Sequence, residues 1–591
     1  MLGRDIVRSV MRNLQLLMLV AIATASSAFA SDVTVEHGVK VTMRDGVGLR
    51  ADIYRPKQEG RYPVLLQRTP YNKAGGEDFG MRAAAAGYVA IVEDVRGRYS
   101  SEGEWYPFKW ESQDGFDTVE WAAALPYANG KVGMWGGSYV GATQMLTAMA
   151  HPPHLAGICP VVTASNYHSN WTYQGGAFEQ WFNESWTSGL AQDTLNRKIQ
   201  SETNAMSGAW KLPLREYPLF NGPVKVDSPE SLAPYFLDWL AHPSYDEYWK
   251  KWSIEDHYAD IQVPALHVAA WYDIFQGGSL KNYAGLKEHA GNEAARRGQR
   301  LLVIVGGHAG GGRQIGDVDF GAAAAEFNEG QVTLEWYDFL FKGVQNGFAK
   351  KPVRIFVMGA NEWREEEGWP LARARAVKYF LHATKAANSL RGDGVLSGEA
   401  PGSETADQFV YDPANPVPTT GGPLCCDGGH LPAGPRDQRA VEAREDVLVY
   451  STPVLERDVE VTGHVMLELW AKSTAVDTDF TAKLVDVWTN GFAQNLTEGI
   501  VRAKYRGSQE KPELMTPGEV YKLAVDLWST SNVFKKGHRI RLEISSSNFP
   551  RFDRNLNTGE SGEYATRSVA ATNVVLHDAE HASVLMLPVV E

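Results

Sequence analysis

The chain has 591 residues, enough for two to four domains, and its 44% hydrophobic and 22% charged content is that of an ordinary globular protein. Its formal net charge of −14 argues against nucleic acid as a partner, because phosphate binding needs concentrated Lys and Arg side chains.

Residues 1–30 have the parts of a secretory signal peptide. Three arginines precede an apolar run from Leu14 to Ala23 that is too short to span a bilayer. Ala28 and Ala30 then supply the small residues that a signal peptidase requires. We predict cleavage after Ala30 and a periplasmic or secreted protein without membrane contact once the signal is removed. The alternative is an anchor retained in the membrane.

Residues 31–164 alternate apolar strands with helical patterns, which predicts the first part of an α/β domain. The runs Pro63–Tyr71 and Tyr88–Gly97 are almost continuously apolar, as expected for strands buried on both faces of a parallel sheet. An amphipathic helix is predicted over Asp114–Leu125. A short strand then leads into the turn GGSYVG, and a second helix is predicted to begin near Tyr139.

Residues 165–258 are rich in aromatic side chains and lack strand alternation, which indicates an inserted helical cap. The α/β pattern resumes over residues 259–350. It comprises predicted strands at Val263–Asp273 and Arg300–Gly310 and a helix over Ala325–Gly343. We therefore predict one α/β domain that a helical cap interrupts.

Residues 351–591 have the period-two alternation of strands. Leu467 and Leu469 share one face of a predicted strand, and Leu523 and Val525 share a face of another. Such alternation between turns rich in Gly, Pro and Asn predicts an antiparallel sandwich or jelly roll.

Ser138 lies between a predicted strand and a predicted helix, in a turn rich in glycine. This context lifts a side chain above the end of a sheet, and small neighbours relieve crowding. The motif departs from G-x-S-x-G, because Val140 occupies the position of the second glycine and Gly141 follows one residue later. The alternative interpretation is an ordinary turn.

The order of polar residues along the chain favours catalysis. A serine hydroxyl needs a base within hydrogen-bond reach to act as a nucleophile. Asp273 ends one predicted strand and His308 follows the next, in the order Ser, Asp, His of α/β-hydrolases. Because open α/β sheets place their sites at the carboxyl ends of strands, we predict that these side chains meet there.

A tetrahedral intermediate requires two hydrogen-bond donors for its oxyanion. The backbone N–H of Tyr139 is the first candidate. The hydroxyl of Tyr71, at the end of a predicted strand, is the second; the alternative is an aromatic plug in a loop.

Together these segments resemble the cocaine esterase-like hydrolases, relatives of X-prolyl dipeptidyl-peptidases and α-amino-acid ester hydrolases. The matching segments are RTPYNK with Tyr71, GGSYVGATQ with Ser138, AAWYDIF with Asp273 and VGGHAGG with His308. The resemblance continues into the last third of the chain with YDPANPVPTTGG and SSNFPRFDRNLNTG. It implies an α/β-hydrolase domain, an inserted helical cap and a C-terminal jelly roll. It also implies cofactor-free acyl transfer from esters or amides to water, with the Tyr71 phenol donating to the oxyanion.

One departure concerns amine recognition. Amino-acid ester hydrolases hold the substrate ammonium with carboxylates that include acids just after the catalytic Asp, whereas residues 274–276 here are Ile, Phe and Gln. A preference for free α-amino acyl groups is therefore unsupported. Glu179 and Glu184 are alternative amine anchors, although a solvated helix face is our preferred interpretation.

The aromatic cap indicates an apolar or aromatic acyl group. Our candidates for substrate binding are Trp171, Phe178 and Phe275.

The cysteines fit no metal-binding pattern, and we predict neither metal nor cofactor. Cys159 has the context of a buried small residue. Cys425 and Cys426 are adjacent, so that a vicinal disulfide and two reduced thiols are both open alternatives.

The leading hypothesis is a secreted serine hydrolase that cleaves small carboxylic esters through an acyl-enzyme. The enzymatic alternative is an X-prolyl dipeptidyl-peptidase or a β-lactam or other amide acylase. The non-enzymatic alternative is a carbohydrate-binding protein with a decayed hydrolase domain. The oligomeric state stays open, with a homo-oligomer among the alternatives.

Overall fold

A computed structural model describes residues 32–202, 232–426, 428–560 and 565–591 of the chain. The predicted signal segment 1–30 lies outside the described residues, as does the middle of the predicted cap, residues 203–231. No helix within the described ranges combines the length and apolar character needed to cross a bilayer.

The strands between residues 33 and 366 form the first sheet and two small two-stranded sheets. Strands up to this point are β1 (Val33–Thr42), β2 (Gly48–Pro56), β3 (Tyr62–Thr69), β4 (Val89–Asp94), β5 (Ala128–Gly137), β6 (Leu155–Val161), β7 (Tyr173–Gln174), β8 (Ala177–Phe178), β9 (Leu266–Tyr272), β10 (Arg300–Gly307), β11 (Gly310–Gly311), β12 (Gln314–Ile315), β13 (Val318–Asp319), β14 (Val353–Val357) and β15 (Glu362–Glu366). The strand order of the main sheet is β1-β2-β4-β3-β5-β6-β9-β10-β14-β15, with β11 added to β10. Seven central strands, β4 to β14 in that order, run parallel.

Helices connect these strands and cover both faces of the sheet. They are α1 (Glu77–Ala85), α2 (Glu111–Ala123), α3 (Tyr139–Met149), the cap helices α4 (Gln180–Glu202), α5 (Pro234–Ala241) and α6 (Glu247–Lys250), then α7 (Gln276–His289), α8 (Glu293–Arg297) and α9 (Glu329–Lys342). Short 3₁₀ or π turns lie at Lys73–Gly76, His168–Thr172, Glu255–Asp260, Ala322–Glu326 and Gly347–Ala349.

The central stretches of the parallel strands are apolar because both faces of the sheet are covered. In β3, Val64 and Leu66 join the core beneath α2, α3 and the cap. Leu65, between them, points to the opposite face and packs in the core that contains Phe79 of α1 and Trp336 of α9. Alternating side chains thus fill two cores from one strand, which explains the continuous apolar runs in the sequence.

The rest of the chain forms a second sheet of eleven strands. Its elements are β16 (Ala374–His382), β17 (Val395–Ser397), β18 (Asp407–Tyr411), the short helix α10 (Arg439–Glu442), β19 (Leu448–Ser451), β20 (Val459–Ser473), β21 (Asp479–Val487), β22 (Ala493–Arg502), a 3₁₀ turn at Ala503–Tyr505, β23 (Tyr521–Phe534), β24 (Arg539–Ser545), β25 (Ala571–Leu576) and β26 (Val584–Val590). All its pairings are antiparallel except that between β17 and β19. The predicted strand-rich C-terminal jelly roll is therefore present.

The two sheets share a core. Leu467 of β20 and Val525 of β23 belong to the same apolar cluster as Val303 and Val305 of β10. The first sheet also extends past the predicted boundary at residue 350, because β14 and β15 pair with its edge.

Helix α9 begins later than the predicted start at Ala325. Phe327 has extended backbone angles, and the Asn328 side chain accepts a hydrogen bond from the backbone N–H of Gln331. An asparagine in this N-cap position ends the preceding loop and starts the helix at Glu329.

A buried ion-pair network lies beneath the end of β3. Arg68 is fully buried, and its guanidinium donates to Glu93 Oε1 at 2.8 Å and to Glu111 Oε2 at 2.7 Å. Burial raises the pKa of the Glu93 carboxyl to about 7, although the charge of Arg68 opposes this rise. The network therefore depends on the cation that its two carboxylates share.

We expect Arg68→Met to lower the free energy of unfolding by about 3 to 5 kcal/mol, because it leaves two buried carboxylates without their cation. Urea unfolding followed by circular dichroism measures the change. Arg297→Met is the matched control, since it removes an exposed pair with Glu293 and should cost less than about 1 kcal/mol. Equal losses in the two variants would contradict the role given to burial.

Candidate active site

Ser138 occupies a sharp turn between β5 and α3. Its φ of 62° and ψ of −127° are unusual for a residue with a side chain, and they direct the hydroxyl away from the strand. The turn is held by the Ser138 N–H, which donates to Val161 O at 2.9 Å. Gly136 has a φ of 122°, and a Cβ there would lie 2.4 Å from the Val140 side chain. A Cβ at Gly141 would lie 2.8 Å from Thr163, so close packing explains the position of this second glycine.

His308 and Asp273 follow the carboxyl ends of β10 and β9. His308 Nε2 lies 2.8 Å from Ser138 Oγ, and His308 Nδ1 lies 2.6 Å from Asp273 Oδ2. Asp273 is fully buried, and its other oxygen accepts the Phe275 N–H at 2.7 Å. With Nδ1 protonated toward the carboxylate, Nε2 is free to accept the serine proton. The structure thus brings together three residues that the sequence separates widely.

The Tyr71 hydroxyl and the Tyr139 backbone N–H are the two candidate oxyanion donors beside Ser138. The Tyr71 hydroxyl accepts a hydrogen bond from Trp186 Nε1 at 2.9 Å. Tyr71 is 39% exposed, but its hydroxyl is desolvated, which raises the pKa of Tyr71. Hydrogen bonds with Trp186, the Ser138 hydroxyl and the Tyr139 backbone N–H lower this pKa by less. The Tyr71 phenol therefore stays protonated near neutral pH, and it lines the same cavity as Ser138. This pair has the arrangement of two oxyanion donors.

The Tyr139 side chain is anchored in the core beneath the turn. Its hydroxyl donates to Glu111 Oε1 at 3.0 Å and accepts the Phe108 N–H at 2.7 Å. Because Glu111 also pairs with Arg68, the buried ion-pair network fixes the residue that follows the serine. Sequence analysis missed this support, since nothing in the spacing of Arg68 and Glu111 marks them as partners.

A cavity of about 620 Å³ opens over Ser138. It is lined by Tyr71, Arg98, Tyr99, Gly137, Ser138, Val161, Val162, Ser185, Trp186, Gly189, Leu190, Ile304, His308, Ala309, Gly310, Phe327, Glu329 and Cys426. We call this space the catalytic cavity. Its walls come from the first sheet, from cap helix α4 and from the C-terminal unit, and most of them are apolar.

The three predicted substrate-binding residues do not line the catalytic cavity. Trp171 and Phe275 are fully buried and stack on each other, with ring centroids 4.3 Å apart. The Phe275 ring also meets His308 edge-on at 5.2 Å, so that it supports the imidazole from behind. Phe178 lines a different cavity of about 210 Å³. Trp186 of cap helix α4 provides the aromatic wall instead.

Glu179 and Glu184, the two candidate amine anchors, also lie outside the catalytic cavity. Glu179 is 2% exposed and lies 3.4 Å from Arg551, so the interpretation as a solvated helix face is wrong for this residue. Burial raises the pKa of Glu179 to about 7, against the opposing charge of Arg551. Glu184 accepts a hydrogen bond from the Gln180 side chain. Neither residue lines the catalytic cavity.

Cys425 and Cys426 are joined by a disulfide, whereas Cys159 is a free, buried thiol. Cys426 lines the catalytic cavity, and both cysteines line an adjoining cavity of about 400 Å³ next to His308. Within the described parts of the chain, no group of three or more His, Cys, Asp or Glu side chains is arranged to hold a metal ion.

Comparison with known proteins identifies the family. Residues 45–310 match the family described as X-Pro dipeptidyl-peptidase (S15 family), and residues 346–586 match the X-Pro dipeptidyl-peptidase C-terminal non-catalytic domain. The chain is 37% identical over 585 residues to the cocaine esterase of Rhodococcus sp. (strain MB1 Bresler), with 94% of this chain and 99% of the relative covered.

Two solved structures share the fold. An aminopeptidase from a marine sediment Thaumarchaeota archaeon superposes with a TM-score of 0.80 at 24% identity, covering 95% of this chain and 97% of its own. An α-amino acid ester hydrolase superposes with a TM-score of 0.74 at 23% identity, covering 94% and 97%. The family matches and the 37% identity to a cocaine esterase show that the chain belongs to the cocaine esterase and X-Pro dipeptidyl-peptidase family of α/β-hydrolases, and that it is a serine hydrolase of the esterase or peptidase type.

Proposed function

We propose that the protein is a periplasmic or secreted carboxylic ester hydrolase that works through an acyl-enzyme. The observation that carries the proposal is the continuous contact from Asp273 through His308 to Ser138, with distances of 2.6 and 2.8 Å. The 37% identity to a relative named as an esterase supports the choice of an ester substrate.

The proposed reaction begins when His308 Nε2 takes the proton of the Ser138 hydroxyl and the oxygen attacks the ester carbonyl. The Tyr71 hydroxyl and the Tyr139 N–H donate to the oxyanion. His308 then protonates the departing alcohol. In the second step, His308 takes a proton from water, which attacks the acyl-enzyme. Asp273 stabilises the charged imidazole during both acylation and deacylation.

Ser138→Ala tests the proposed nucleophile, and a comparison of esters with anilides tests the proposed substrate class. We expect the wild type to turn over nitrophenyl esters rapidly and Xaa-Pro anilides slowly, and the variant to lose nearly all turnover because it has no nucleophile. A fluorophosphonate probe should label the wild type and leave the variant unlabelled, with unchanged circular dichroism in both. Fast anilide cleavage with inert esters would favour the dipeptidyl-peptidase alternative. An unlabelled but folded wild type would favour the carbohydrate-binding alternative.

Tyr71→Phe tests the phenol as an oxyanion donor. We expect kcat for an ester to fall by about 100-fold with little change in KM, because the lost hydrogen bond forms in the transition state. Tyr62→Phe is the matched control, since Tyr62 lies at the opposite end of β3 and its hydroxyl bonds only to Gln58 O within the described contacts. Undiminished kcat in Tyr71→Phe would remove this residue from the mechanism.

Export is proposed from the basic, apolar and small-residue pattern of residues 1–30. When the full chain is produced in a Gram-negative bacterium, we expect enzyme in the periplasmic fraction whose amino-terminal residue is Ser31, as determined by N-terminal sequencing. Ala30→Arg is the control, because a large charged residue at the cleavage position should block processing. Mature protein that still carries residues 1–30 would refute the cleaved signal.

A further inference from the structure

The Tyr71 phenol, which we propose as an oxyanion donor, accepts a hydrogen bond from the cap. The indole N–H of Trp186 in α4 donates to the Tyr71 hydroxyl oxygen at 2.9 Å. An indole N–H is a donor only, so the phenol oxygen must be the acceptor in this contact. The single proton of the phenol is therefore left for another acceptor. Because the Tyr71 hydroxyl also interacts with the Ser138 hydroxyl, that proton is available beside the serine, where the oxyanion would form.

The indole of Trp186 is fixed by the rings around it. Its side chain is 5% exposed. It stacks on Tyr139 with ring centroids 5.9 Å apart and on Trp239 at 6.1 Å, and it meets the Trp171 ring edge-on at 5.7 Å. Tyr139 also supplies the backbone N–H of the proposed oxyanion pair. Trp186 therefore contacts both residues that we propose as oxyanion donors.

A buried arginine connects the same cap helix to the backbone beside Tyr71. The Arg98 guanidinium donates through Nε to Pro70 O at 2.9 Å and through Nη1 to Leu190 O at 2.9 Å. Pro70 directly precedes Tyr71, and Leu190 lies about one helical turn after Trp186 in α4. Since a guanidinium is planar and rigid, these two bonds fix the distance between the end of β3 and the cap helix.

The charge of Arg98 acts on the same phenol. The Arg98 side chain is 1% exposed and lines the catalytic cavity, and the carboxylate of Asp193 lies 3.5 Å from it. Desolvation raises the pKa of Tyr71, and the charge of Arg98 opposes this rise together with the hydrogen bonds of the hydroxyl. A phenol that faces a cation, and whose oxygen accepts a hydrogen bond, is a stronger donor. Both contacts therefore strengthen the bond that Tyr71 offers to an oxyanion.

We propose that Arg98 and Trp186 are positioning residues of the oxyanion site, and that they act on the reaction through the Tyr71 phenol. Trp186 sets the direction of the phenol, and Arg98 holds α4 at the distance that this contact requires. The inference rests on the proposed ester hydrolase function and deepens it by assigning two residues outside the catalytic triad. The cap thereby contributes to binding of the transition state as well as to the cavity wall.

Trp186→Phe is the first test, because phenylalanine keeps an aromatic ring in the cavity wall and removes the indole N–H. We expect kcat for a nitrophenyl ester to fall about tenfold with KM changed less than about twofold, since the contact acts on the transition state. Trp181→Phe is the matched control on the same helix. Trp181 is not among the described walls of the catalytic cavity, and its substitution should keep the wild-type kcat.

Arg98→Lys and Arg98→Met form the second test. Lysine keeps the charge but cannot donate two bonds in the fixed directions of a guanidinium, and methionine removes the charge as well. We expect kcat to fall by about three- to tenfold in Arg98→Lys and further in Arg98→Met, with the circular dichroism of the lysine variant unchanged. Arg297→Lys, at an exposed pair with Glu293, is the control and should keep the wild-type kcat. A wild-type kcat in Arg98→Lys and in folded Arg98→Met would contradict the role given to Arg98.

Repeating the substitutions in Tyr71→Phe separates an action through the phenol from simple packing. Once the hydroxyl is absent, Trp186→Phe and Arg98→Lys should each lower kcat by less than about twofold, because residues that act on one group are not additive. Phenylboronic acid provides a second readout, since its adduct with a serine resembles the tetrahedral intermediate. Trp186→Phe should weaken its binding by the same factor by which it lowers kcat/KM.

Three outcomes would count against these assignments in different ways. Equal losses of kcat in the wild-type and Tyr71→Phe backgrounds would mean that Arg98 and Trp186 act by packing alone, and would overturn the inference. A raised KM with unchanged kcat in Trp186→Phe would overturn it as well, because the indole would then only bind substrate. The proposed function fails separately if Tyr71→Phe itself keeps the wild-type kcat or if the wild type hydrolyses no ester.

Discussion

The backbone conformation of Ser138 is the constraint on which the site depends. A non-glycine residue with positive φ costs of order 1–3 kcal/mol, and such strain persists only where the surrounding structure enforces it. Here the enforcing contacts are the hydrogen bond to Val161 O and the close approaches at Gly136 and Gly141. A different backbone conformation would move the hydroxyl, and the 2.8 Å contact with His308 would be lost.

The strained turn is supported by a buried ion-pair network as well as by the apolar core. Tyr139, Glu111 and Arg68 join α3, α2 and β3 below the serine through hydrogen bonds of defined direction. Dispersion contacts alone would tolerate small shifts of the turn, whereas directional bonds between buried groups do not. The turn that carries Ser138 is thereby held in place by α3, α2 and β3.

The fold and the central site residues could be predicted because their signals are local. Continuous apolar runs indicate strands covered on both faces. Polar residues at the carboxyl ends of such strands lie at the same edge of the sheet, independently of the loop conformations. The cavity walls could not be predicted in this way. Trp171 and Trp186 have a similar context in the sequence, and both are buried. Only the packing decides which of them lines the cavity: Trp171 stacks on Phe275, and Trp186 forms the wall.

Because the two sheets share a core, the first sheet depends on the C-terminal unit for its stability. Val303 and Val305 of β10, directly ahead of His308, are covered by Leu467 and Val525 of the second sheet. A truncated protein that ends at the apparent boundary near residue 350 would expose this apolar face to water, and aggregation would follow. The C-terminal unit also supplies Cys426 to the catalytic cavity. Evolution can therefore reshape substrate choice by substitutions in a unit that carries none of the proposed catalytic groups.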